Sequence, residues 1–319
     1  MDNNSQPLFL MHIMDGYSFR NMIAVIKSET DNVSMVLSDR LIEFSFVNGG
    51  KSAIHKIFLQ PQDFVMYKYN IRDAQGELIP EYPIAFETSQ MFNTTKNIGR
   101  KDSIRLYQLQ DDNKIYVQPI KTNIKDPGRA GALFVKIISM EYVRYDIGAW
   151  AEDPNVRVQA KDFAEICTQA NTMKCTWLEL IGQDTAVTLR GILPNQSVAF
   201  VNRFVSQTQT VQSSTSITPA DNISEIDDIL KNLRSGGSSN SAPTTITGLS
   251  LRIISSDDMK TIRVPISTVK ALSKIHNIGP TGSLIRFYFN KGNVSNTKLE
   301  CPIGNYGKYT ICLLKNASQ

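Results

Sequence analysis

The sequence predicts an α+β fold made of two copies of one domain, each a strand-rich unit carrying two helices. The first observation behind this is a stretch that recurs. Residues 84–120 and 264–303 share three short words in the same order. Asn97-Ile98-Gly99 returns as Asn277-Ile278-Gly279, Arg105-Leu106-Tyr107 as Arg286-Phe287-Tyr288, and Gln118-Pro119-Ile120 as Cys301-Pro302-Ile303. The offset drifts only from 180 to 183, as small loop insertions would make it do. The second observation is a shared grammar. Each copy runs from a short apolar approach into apolar residues at three- and four-residue spacing (Met91, Phe92, Thr95; Ala271, Leu272, Ile275), the spacing of one helix face. A Gly then stands where a helix C-terminus favours one, and two alternating strands follow.

In the first half, Leu8–Met14 reads as a strand and Tyr17–Ser28 as an amphipathic helix with Phe19, Met22, Ile23 and Ile26 on one stripe. Val33–Leu37 and Leu41–Phe46 make a hairpin around the polar triplet Ser38-Asp39-Arg40. Ala53–Leu59 and Phe64–Tyr69 add a strand pair, and a polar loop through Gly76 and Pro80 leads to a helix at about Thr88–Ile98. The second half repeats the order. Val156–Gln159 is a strand and Lys161–Asn171 a helix with Phe163, Ile166 and Ala170 inward. Trp177–Ile181 and Ala186–Ile192 form a hairpin turning at Gly182-Gln183-Asp184, Val198–Phe204 continues the sheet, and the last helix falls at 267–277. The closing strand of each half is Leu133–Met140 or Tyr309–Leu314.

Glu141–Pro154 has no counterpart in the second copy, so it reads as a connector. The expected division is a domain at 1–140, a connector at 141–155 and a domain at 156–319. Residues 206–247 interrupt the second domain and are rich in Ser, Thr, Gly and Asn, which marks a mobile insertion. Within it Ile223, Ile226, Leu230 and Leu233 keep helical spacing in an acidic frame. A short helix resting on the body and a docking element for a partner both fit that pattern.

The chain has 319 residues, 41% of them hydrophobic, enough for real cores. Its 34 basic and 30 acidic residues give a net charge of +4, a mild bias that makes the placement of the basic residues the informative question. Cys167, Cys175, Cys301 and Cys312 form no CxxC pair and have no His at zinc spacing, which points to reduced thiols and no metal site. No apolar run approaches the ~18 residues of a membrane span, so a soluble intracellular protein without membrane contact is expected. Enzyme signatures are missing. His12, His55 and His276 lack an HExxH or HxH context, no Ser sits in GxSxG, and Gly304–Lys308 lacks phosphate-loop spacing. Asp111-Asp112 and Asp227-Asp228 read as solvated pairs. No catalytic residue and no cofactor is expected.

Three stretches carry a resemblance. VRVQAKDFAEICTQAN (156–171), ECPIGNYGKYTICLLKN (300–316) and SFRNMIAVIKSE (18–29) resemble the second-domain opening, the closing hairpin and the first helix of the proliferating cell nuclear antigen family of DNA sliding clamps. The order of elements is similar over nearly the whole chain outside the insertion. The insertion, the long 121–132 turn and the shortened first hairpin mark a divergent, viral-type member.

That resemblance implies a clamp fold with antiparallel sheets outside and two helices per domain inside. It implies a homotrimeric ring around double-stranded DNA, and partners that include a DNA polymerase, other replication proteins and a clamp loader. It implies a location in the nucleus, or in a cytoplasmic replication compartment for a viral protein. Arg20, Lys27, Lys96 and Lys274 stand where the family's hole-lining basic residues align. Arg100, Lys101, Lys161, Lys174 and Lys270 are assigned to the DNA face from their place on or just beyond the same helices. An ordinary solvated helix face is the alternative for each, and Glu165 puts an acid where the family has a base. Val47, Ile147, Trp150, Leu313 and Leu314 are the candidates for a surface that captures partner peptides. Packing of Trp150 onto the sheet is the competing reading. A monomeric or dimeric clamp-like DNA-binding factor, and a clamp-fold protein of viral late transcription or virion structure, stay open beside the ring.

Overall fold

The computed structural model describes residues 6–110, 112–121, 131–206, 260–289 and 296–314, which belong to one compact unit. The 206–247 insertion, apart from Ser206, and most of the 121–132 turn lie outside these residues.

The first half contains β1 (Pro7–Ile13), α1 (Gly16–Glu29), β2 (Asn32–Leu37), β3 (Ile42–Val47), β4 (Ala53–Leu59), β5 (Met66–Tyr69), β6 (Tyr82–Glu87), α2 (Thr88–Thr95), β7 (Ser103–Leu109), β8 (Lys114–Ile120) and β9 (Leu133–Ile138). The second contains β10 (Val156–Gln159), α3 (Ala160–Thr172), β11 (Trp177–Gln183), β12 (Ala186–Ile192), β13 (Val198–Val205), β14 (Lys260–Pro265), α4 (Ile266–Leu272), β15 (Leu284–Phe289), β16 (Thr297–Ile303) and β17 (Gly307–Leu313). The apolar approaches before α2 and α4 are thus strands in their own right. α2 and α4 are shorter than the periodicity predicts, and Ile275–Asn277 continues α4 only as a 3-10 turn.

The strands form a 13-stranded sheet in the order β10-β15-β16-β17-β4-β3-β2-β6-β9-β8-β7-β1-β5, and a four-stranded sheet, β13-β12-β11-β14. One pair joins the halves: β17 runs antiparallel to β4 from Gly307 opposite Leu59 to Leu313 opposite Ala53. Alternation then divides each strand. Tyr309, Ile311 and Leu313 enter the core with Ala53, Ile57 and Leu59. Lys308, Thr310 and Cys312 take the opposite face with Ile54, Lys56 and Phe58.

The four helices pack side by side, α1 against α2 and α4, and α3 against α4. Their apolar stripes, with Phe19, Met22, Ile23, Ile26, Met91, Phe163, Ile166, Ala170, Val269 and Leu272 all buried, form one core with the sheets. Asp15 caps α1, accepting a hydrogen bond from the Ser18 amide at 2.9 Å. Asn21 ties the halves, donating from Nδ2 to the Asn277 carbonyl at 2.7 Å.

The recurring glycines act differently from the helix-end role predicted. Neither Gly99 nor Gly279 has positive φ. A Cβ on Gly279 would lie 2.8 Å from Ser283 Oγ and 3.1 Å from the Pro302 carbonyl, so close approach selects glycine there. Gly182 is likewise inside β11 rather than in the hairpin turn, where a Cβ would come within 2.4 Å of the Phe289 ring. No helix among the described residues is long and apolar enough to cross a membrane.

Candidate functional site

Two surfaces gather the predicted residues, the open face of the helical layer and the face of the sheet crossed by the connector. On the helical layer the basic residues divide by what they touch. Arg20 is spent on the fold: its Nη1 donates to the carbonyls of Ile98 at 3.0 Å and Lys96 at 3.4 Å, oxygens that the end of α2 leaves without helical partners. Its guanidinium also lies 4.5 Å from the centre of the Tyr17 ring, and that of Arg100 lies 5.5 Å away. Burial alone would raise the Tyr17 hydroxyl. Hydrogen bonding with Asn21 and Arg100 and the charges of both arginines outweigh it and hold the group below an ordinary tyrosine. Lys27 rests its ammonium 4.4 Å from the Phe92 ring centre, so it too packs while facing water.

Lys96, Lys270 and Lys274 are exposed, and none has a carboxylate within ion-pair distance among the described residues. Lys101 is exposed just beyond α2. Lys174 follows α3 with φ of 56°, a left-handed position normally given to glycine, which turns its side chain out at the helix end. Lys161 pairs instead with Glu165 one turn along at 3.8 Å, which cancels its charge locally. Asp162 is exposed on the same helix, so α3 contributes less positive potential than its neighbours. Sequence reasoning missed Lys121, whose Nζ bonds the Asn97 carbonyl and Asp102 Oδ2, both at 2.8 Å. It also missed Tyr17.

The connector crosses the outer sheet face in extended form. Arg144 Nε bonds Glu43 Oε2 at 3.1 Å and its Nη2 bonds Glu81 at 3.0 Å, while the Tyr145 amide donates to Ser45 Oγ at 3.2 Å. Ile147 and Trp150 come together because the indole Nε1 donates to the Ile147 carbonyl at 2.7 Å, closing a turn that has Gly148 at φ 72°. The half-buried Trp150 ring lies 5.7 Å from Lys298 Nζ. Cross-strand register places Lys298, Cys312, Ile54 and Val47 in one row over four strands. Trp150 therefore stands above one end of a floor about 14 Å long, three strand spacings, and Val47 at the other. Leu314 continues beside this row, its amide bonding the Ser52 carbonyl. Leu313 does not belong to it. Alternation along β17 turns that side chain inward, where it is 1% exposed in the core.

Two strands show what single-sequence reading left out. On β9, Leu133 and Phe134 are 50% and 57% exposed, and on β13, Val198, Val201 and Val205 are 50%, 56% and 58% exposed. β13 ends the four-stranded sheet, and the Leu133–Lys136 stretch of β9 is paired on one side only, to β8. The signal was present as VAFVNRFV, apolar on both faces at period two.

No protein-family model matches the chain, and no curated protein matches it by sequence. Its fold does match solved structures. The PCNA2–PCNA3 complex from Sulfolobus tokodaii superposes with a TM-score of 0.65 at 10% identity, covering 97% of this chain and 99% of that one. The proliferating cellular nuclear antigen of Entamoeba histolytica gives 0.66 at 9% identity, covering 97% and 99%. That of Thermococcus kodakaraensis gives 0.64 at 10%, covering 96% and 99%. The chain has a divergent form of the sliding-clamp fold of proliferating cell nuclear antigens.

Proposed function

We propose that the protein is a sliding clamp whose copies join head to tail into a homotrimeric ring around duplex DNA. The observation that carries this reading is a pair of edges. The last strand of the second half, β17, pairs with the fourth strand of the first half, β4. Their counterparts in the repeat are β9, last of the first half, and β13, fourth of the second. Among the described residues β13 ends its sheet and β9 is paired on one side only over Leu133–Lys136, and both expose apolar side chains there. Exposed apolar edges are a liability in a monomer and a joint in an assembly. Joining β9 of one copy to β13 of the next repeats the β17–β4 seam between chains, and three copies then close six such halves into a ring.

In this reading residues 1–140 and 156–319 are the two clamp domains and 141–155 the connector. The helical layer lines the hole. Lys96, Lys101, Lys174, Lys270 and Lys274 meet phosphates, with Arg20, Lys27 and Arg100 adding charge from packed positions and Lys161 contributing least. Such contacts are weak, exchangeable and indifferent to base sequence, which is what sliding requires. Val47, Ile147, Trp150 and Leu314 receive peptide segments of a DNA polymerase and other replication proteins. The protein tethers and catalyses nothing, and it works in the nucleus or in a viral replication compartment.

The test is topological. Protein is threaded onto linear duplex and the ends are then blocked with streptavidin. Retention at high salt only while both ends stay blocked, with release when the DNA is cut, is the expected result. Retention that is salt-sensitive and identical with free and blocked ends would refute encirclement.

A further inference from the structure

On the outer sheet face, beside the connector, lies a cavity of about 300 Å³ lined by Leu284, Arg286, Glu300, Pro302 and Lys308. Its charge is unbalanced. Glu300, on the floor and 7% exposed, is already saturated: Oε1 accepts from Lys298 at 3.1 Å and Lys308 at 3.4 Å, and Oε2 accepts from the Tyr288 hydroxyl at 2.9 Å. Burial alone would raise its carboxyl. Lys308, the Tyr288 hydroxyl and Lys298 outweigh that and keep it ionised below the usual carboxylate range.

Arg286 is exposed at the rim, and register sets Arg157 of β10 directly opposite it. Neither has a carboxylate within ion-pair distance among the described residues. Like charges directly opposite on neighbouring strands weaken the pairing unless an anion bridges them. Of the residues lining the cavity, Arg286 and Lys308 are basic and Glu300 is acidic; the buried Lys298 sits against Glu300, and Arg157 stands beside Arg286 on the neighbouring strand.

We propose that this cavity binds an acidic peptide segment of a partner protein, a carboxylate bridging Arg157 and Arg286 while an aliphatic side chain lies on Leu284 and Pro302. Planar guanidinium groups suit bidentate carboxylate recognition. A nucleic-acid strand would need a longer run of free cations, whereas Lys298 and Lys308 are already engaged by Glu300, which leaves the adjacent Arg157 and Arg286 as one short anchor. The site is separate from the helical layer, so it does not depend on whether the protein encircles DNA.

The probe is a fluorescein-labelled Glu/Leu/Ser peptide, with its Gln counterpart as the uncharged control, followed by anisotropy on the full chain. Arg157→Ser with Arg286→Ser should weaken binding by about tenfold or more, and Arg286→Lys should fall between, since an ammonium keeps the charge but loses the fork. Lys68→Ser with Arg72→Ser removes the same charge elsewhere and should leave affinity unchanged. Equal loss in both double variants, equal binding of the Gln peptide, or unchanged affinity in Arg286→Lys and the arginine double variant would each overturn the proposal. Displacement of the peptide by duplex DNA from the wild-type protein would assign the site to nucleic acid and overturn it too.

Discussion

The β4–β17 seam and the β9 and β13 edges are built from equivalent strands of a repeat, yet their surroundings differ. At the seam every strand edge is paired and the polar groups between the halves are buried together. His55 Nδ1 meets the Tyr309 hydroxyl at 2.6 Å, and Asn48 bonds Ser52 Oγ and Thr268 Oγ1 at 3.0 Å each. Along β13 and the Leu133–Lys136 stretch of β9, apolar side chains face water and one side of the backbone has no strand partner among the described residues. The same local element is therefore finished inside the chain in one place and left unfinished in the other. Location in the repeat, rather than strand propensity, decides which.

One substitution type placed on both edges gives the largest contrast. Ile311→Asp buries an unpaired charge in the seam and should cost more than ~4 kcal/mol, enough to leave the chain largely unfolded. Val201→Asp, at an exposed position, should change folding stability by less than ~0.5 kcal/mol. Thermal melts of the two variants check this, and similar losses in both would erase the distinction drawn between the edges.

A smaller contrast sits within the helical layer. Arg20→Ala removes two charge-assisted bonds to the end of α2 and should cost about 1–2 kcal/mol. Alanine at Lys96, Lys270 and Lys274 should barely shift the melt, yet lower the salt slope of DNA association by ~0.9 log unit for each phosphate no longer neutralised. If Arg20→Ala melts like wild type, its bonds to α2 are not what holds that guanidinium.

The order of elements was legible because helices and strands impose different periods on buried residues, and Phe19, Met22, Ile23 and Ile26 keep theirs over the whole of α1. Leu313 does not share a face with Val47 and Trp150, because alternation through Tyr309 and Ile311 points its side chain inward. The double role of Arg20 was not readable. It depends on carbonyls 76 and 78 residues away, brought near only by α1–α2 packing. The β17–β4 seam was hidden for the same reason, since register between distant strands leaves no local mark. The two-faced apolar pattern of β13 was readable and marks the edge that the repeat leaves open.

A ring requires those open edges to join one copy to the next, and particle mass in solution tests that most directly. Light scattering at micromolar concentration should give three times the 35.7 kDa chain mass for wild type, and a single chain mass for Val201→Asp with an unchanged melt. A wild-type particle of one chain mass, with no larger species, would contradict the ring. So would a trimer that Val201→Asp and Phe134→Asp together leave intact.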